Sequence, residues 1–69
     1  MTCKQIYKNE EITPDSVIVT EILQNQNTGF FDVYVTHNGC DAVQMGVDTL
    51  DNAHIAASAL ADKLREIAE

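Results

Sequence analysis

Cys3, His37, Cys40 and His54 together supply every side-chain type of a zinc site. Zinc needs such donors converging on a tetrahedral centre, and His37-x-x-Cys40 is short enough to provide two of them. The other two do not extend the pattern. There is no CxxC pair, Cys3 lies near the start of the sequence, and His54 heads the polar stripe of a helix identified below. No metal and no other cofactor is expected. Cys40 with His37 is also the one nucleophile–base pair suggested by type. Two residues flanking a turn bring no pocket, no third orienting group and no oxyanion donors, so the expectation is no catalytic residue and no enzyme. Asn38-Gly39 and Asn27-Thr28-Gly29 are turn sequences, and no GxGxxG or GxxxxGK phosphate loop occurs.

The carboxylates offer a different chemistry. The chain has 11 acids and 4 bases, a net charge of −7. The bases are Lys4, Lys8, Lys63 and Arg65, and between Asn9 and Ala61 there is neither Lys nor Arg. That stretch carries Glu10, Glu11, Asp15, Glu21, Asp32, Asp41, Asp48 and Asp51. Such a surface repels nucleic acid and anionic membranes, because binding either requires bases to replace counterions. It attracts a basic protein surface, and it also serves solubility without any partner. Acids on the exposed side of a strand are most often a solvated face. Residues two apart on one strand face are also about 6.6 Å apart, from a rise of about 3.3 Å per residue, a spacing at which carboxylates can imitate a line of phosphates.

The elements that would position these groups follow from hydrophobic pattern. A chain of 69 residues is read as one domain, marginal alone and favouring a partner subunit or another staple. Apolar residues make up 45% of it, too many for a disordered segment. No apolar run approaches a membrane span, and Met1-Thr2-Cys3-Lys4 does not open a signal peptide. A cytoplasmic protein with free thiols at Cys3 and Cys40 is the expectation.

Residues 1–13 read as a polar lead-in with Ile6, Tyr7 and Ile12 as anchors, residues 14–48 as strands, and residues 49–69 as a helix. Ser16–Gln24 is strand-like through Val17, Ile18, Val19 and Thr20. Thr13-Pro14-Asp15 also resembles a helix start, so a helix over 14–24 stays open beside the strand. Phe30–Thr36 alternates Phe31, Val33 and Val35 with Asp32, Tyr34 and Thr36, the clearest strand in the chain. A hairpin turn follows at His37–Cys40, then a strand over Asp41–Asp48. A three-residue loop with a bulge at Gly39 would pair Val33 with Val43 and Phe31 with Met45. It would place Phe31, Val33, Val35, Val43, Met45 and Val47 on one face. Thr49 is the expected N-cap, with Asp51 in the first turn. Ala53, Ala56, Ala57, Leu60, Leu64 and Ile67 form an apolar stripe, opposed by His54, Ser58, Asp62, Arg65 and Glu69.

The expected fold is α+β: a three-stranded antiparallel meander with one C-terminal helix packed on one face. The other face would carry Phe30, Asp32, Tyr34, Gln44 and Asp48. To these the first strand adds either Val17, Val19, Glu21 and Leu23 or Ile18, Thr20 and Ile22. An apolar face left bare predicts a homodimer through that face or an open edge. Glu21, Asp32, Tyr34 and Asp48 are the candidate partner-binding residues.

The order VIVTEI, a polar loop, GFFDVYVTHNG, a further strand and DTLDNAHIAASALADKLREIAE resembles some small acidic phage-encoded anti-CRISPR proteins, especially those acting on type I systems. It covers roughly residues 16–68 and is a pattern of element order and charge. No functional residue carries over by name. The resemblance implies a non-enzymatic inhibitor that occupies a basic nucleic-acid-binding surface of a defence complex in the host cytoplasm. The alternative from the residues alone is a structural or accessory homodimer.

Overall fold

A computed structural model describes residues 3–68. Four strands, β1 (Cys3–Ile12), β2 (Val17–Asn25), β3 (Phe31–His37) and β4 (Cys40–Val47), precede one helix, α1 (Leu50–Ala68). The strands form an antiparallel sheet in the order β1-β2-β3-β4. The α+β class and the single helix agree with the sequence reading. The strand count does not, because most of the supposed lead-in is a ten-residue strand. Met1 and Thr2 lie outside the described residues. Among the described residues, no helix is long and apolar enough to cross a membrane.

The connections are short hairpins with local causes. Between β1 and β2, Thr13 and Ser16 exchange backbone hydrogen bonds of 2.8 and 3.3 Å around Pro14-Asp15. Pro14 presets the φ that the second turn position needs, so Thr13-Pro14-Asp15 makes a turn and not a helix start. Between β2 and β3, the Asn25 side chain accepts from the Asn27 and Thr28 amides at 2.8 and 3.2 Å. Between β3 and β4, Asn38 and Gly39 have φ of 50° and 88°. Two positive φ values make the type I′ turn, whose twist suits a hairpin.

That turn corrects the expected register. His37 pairs with Cys40 across a two-residue loop, and Val33 pairs with Gln44, not Val43. The bulge lies in β4 instead, where Met45 and Gly46 together oppose Asp32. Gly46 has a φ of +73°, a conformation that glycine adopts without a Cβ penalty. The extra residue flips the phase of β4, so Val47 rejoins Phe31 on the helix side. Val43 and Met45 are left on the exposed surface, Met45 at 67%.

The core lies between α1 and one sheet face. It consists of Ile18 and Ile22 of β2, Val33 and Val35 of β3, Val47 of β4, and Ala53, Ala56, Ala57 and Leu64 of the helix. The register puts Val17, Val19, Glu21 and Leu23 on the open face, which settles the choice for β2. Small helix side chains let α1 lie close to β3 and β4, and it reaches only part of β2. Its backbone does not come within 8 Å of β1 at any Cα. Thr49 caps the helix as expected, its hydroxyl accepting from the Asn52 amide at 3.1 Å. The apolar stripe is shorter than its sequence: Leu60 is only partly buried, and Ile67 is 68% exposed because the helix has run past the sheet. Glu69, assigned to the polar stripe, lies outside the described residues.

Candidate binding face and adjoining cleft

The open face is assembled by cross-strand rows. In one row Lys8, Glu21, Tyr34 and Val43 stand side by side on the four strands. In the next, Glu10, Val19, Thr36 and Asp41 do the same. Ile12 and Val17 follow as a pair, and Leu23 and Asp32 flank the first row on the other side. Adjacent strands are about 4.8 Å apart and rows about 6.6 Å, so Glu10 on β1 and Asp41 on β4 lie three strand spacings apart, about 14 Å, with Glu21 in the next row. Val19, Leu23, Tyr34 and Val43 fill the space between the acids. Lys8 is the single base on this face, and it lies 3.7 Å from Glu10. The Thr36 hydroxyl donates to Asp41 at 3.0 Å and fixes its carboxylate.

The four sequence candidates separate here. Glu21 and Tyr34 are directly paired on the open face and half-buried. Asp32 belongs to the same side of β3 but is only 6% exposed, and its carboxylate accepts from the Gly46 amide at 3.3 Å. It is therefore a structural acceptor for the bulge and not a surface acid. Asp48 is not on the sheet at all, because β4 ends at Val47. It accepts from the Asn52 side chain at 2.9 Å beside the helix start. It borders a cleft of about 500 Å³ with Gln44, Asn52 and Ile55. Glu10 is legible in the sequence only as an acid, because residues 1–13 show no strand pattern that would place it on the sheet. Asp41 likewise reads only as an acid in the sequence, and its pairing with Thr36 joins it to the face.

A second cleft, of about 420 Å³, opens at the end of the sheet near the Asn38-Gly39 turn. Glu11, Asp15, His37, Asn38 and Arg65 contribute to its lining. Asn38 holds this end together: its side-chain oxygen accepts from the Val17 amide at 2.8 Å. Arg65 is engaged by Asp62 at 3.3 Å and Glu11 at 3.8 Å. His37 is 7% exposed, and its Nδ1 is buried without a hydrogen-bond partner among the described residues. Ser16, also in the lining, shares its hydroxyl with Thr13 at 3.0 Å. No nucleophile–base hydrogen bond forms here among the described residues.

The possible zinc ligands are not brought together. His37 pairs with Cys40, whereas Cys3 pairs with Asn25 at the opposite end of the sheet. His54 packs edge-on against Tyr7, ring centroids 4.8 Å apart. Among the described residues, no three His, Cys, Asp or Glu side chains cluster as metal ligands. Cys3 and Cys40 are free and exposed. Comparison with family models, curated proteins and solved structures gives no match.

Proposed function

We propose that this chain is a non-enzymatic acidic binding protein whose open sheet face occupies a basic surface of a larger protein. One observation carries the reading: Glu10, Glu21 and Asp41 frame Val19, Leu23, Tyr34 and Val43 on a face that the helix leaves bare. Acids alone would serve solubility. Acids around an apolar centre that includes an aromatic residue have the composition of a binding patch, with charge for steering and apolar area for affinity. The element order and charge, which resemble those of the type I anti-CRISPR proteins, support as partner a nucleic-acid-binding groove of a bacterial defence complex, met in the cytoplasm. Nucleic acid and anionic membrane are disfavoured as direct ligands by the net charge of −7.

The test is binding to a purified type I surveillance complex, with its target DNA as competitor. The wild-type chain should bind, compete with DNA and weaken as salt rises. The double substitution Glu21→Lys with Asp41→Lys should abolish binding while leaving the fold intact. Unchanged affinity in that variant would remove the open face as the site. Affinity that is indifferent to salt would count against the charge-based mode.

A further inference from the structure

We infer that β1 is a self-pairing edge, through which two copies of this chain join their sheets into one of eight strands. β1 is the outermost strand, and no strand lies beyond it among the described residues. All ten of its residues are exposed, and the helix backbone stays away from it. Its outer row of amides and carbonyls is thus a template for another strand. The bulge between Gln5 and Tyr7 limits the regular part of the ladder to Tyr7–Ile12.

Charge selects both the partner and the register within that stretch. An antiparallel pair centred on Lys8 sets Lys8 against Lys8, and one centred on Glu10 sets Glu10 against Glu10. Like charges directly opposite destabilise a sheet, and unlike charges stabilise it. Centring on Asn9 places each Lys8 opposite Glu10 of the second copy, twice over, with the neutral Asn9 facing itself. Tyr7 then lies opposite Glu11 of the second copy. The other edge offers no such match, since β4 contains no base. The pairing is isologous and closes with twofold symmetry, so it yields a dimer and not a fibre. A twofold axis perpendicular to the sheet keeps both helices on one side and joins the two open faces into a single surface.

Sedimentation at micromolar concentration should show a dimer. Lys8→Glu and Glu10→Lys should each raise the dimer dissociation constant by about tenfold or more, because each sets two like pairs in opposition. The double variant Lys8→Glu with Glu10→Lys should restore it. The Asn9→Cys variant, with Cys3 and Cys40 changed to Ser, should form a covalent dimer on mild oxidation, since directly opposed strand residues lie within disulfide reach. Ile12→Cys in the same background should not. A wild-type chain that stays monomeric would overturn the inference. So would a dimer indifferent to both single substitutions, which would point to another surface. Failure of Asn9→Cys to cross-link in a dimeric protein would overturn the register. These outcomes do not depend on any defence complex.

Discussion

β1 and β3 belong to the same sheet, yet they contribute to the molecule in opposite ways. In β3, Val33, Val35 and His37 are buried on the helix side. In β1, Ile6, Tyr7 and Ile12 remain exposed with all their neighbours. The difference is position under the helix: α1 rests on β3, whereas it meets β1 at its margin through side chains, Arg65 on Glu11 and His54 edge-on to Tyr7. Hydrophobic stabilisation scales with area removed from water, so β3 anchors the fold while β1 is held by its ladder to β2. A strand of the second kind has side chains available for assembly.

Substitutions can break or sharpen that contrast, each read as a change in unfolding free energy by urea titration. The largest loss belongs to the layer under the helix. Ile22 is fully buried against Val33, and Ile22→Ala should cost about 2–5 kcal/mol. Asp32→Ala takes the side-chain acceptor from the Gly46 amide and should cost about 1–3 kcal/mol. A loss near zero would mean that the bulge holds itself. Thr49→Ala removes the helix cap and should cost about 0.5–2 kcal/mol. At the small end, Ile12→Ser in β1 should change monomer stability by no more than about 0.5 kcal/mol. A loss as large as that of Ile22→Ala would erase the distinction between the two strands.

The parts that could be read in the sequence are those where burial leaves a pattern. β3 shows period-two alternation because one side of it packs under the helix. α1 shows its alanine stripe and its Thr49 cap for the same reason. Residues 1–13 show no strand pattern because a strand exposed on both faces is under no pressure to alternate, and the irregularity at Ile6 breaks what phase there is. The expected hairpin register differs from the observed one because it takes β4 as uninterrupted. A glycine inside a strand marks a bulge, and Gly46 carried that signal. Once the bulge sits there, the two-residue Asn38-Gly39 loop and a buried Val47 are compatible. The candidate site was legible in part. Glu21 and Tyr34 follow from the alternation of β2 and β3, whereas the burial of Asp32 and the departure of Asp48 from the sheet both follow from the bulge and the end of β4.

The β1-β2-β3-β4 order also governs how quickly the chain finds its structure. Every strand pairs with its sequence neighbour, so each hairpin closes a loop of only a few residues before the next is added. Pairing between sequence neighbours closes shorter loops than the crossovers of sandwiches and barrels, and mixed α/β domains fold faster than those folds at similar stability. The β3–β4 hairpin has the tightest turn and the most buried strand, and the helix follows it directly in the chain. Folding should therefore nucleate in the carboxy-terminal half, with β1 zipping on last as a strand that can fray and re-form without unfolding the rest.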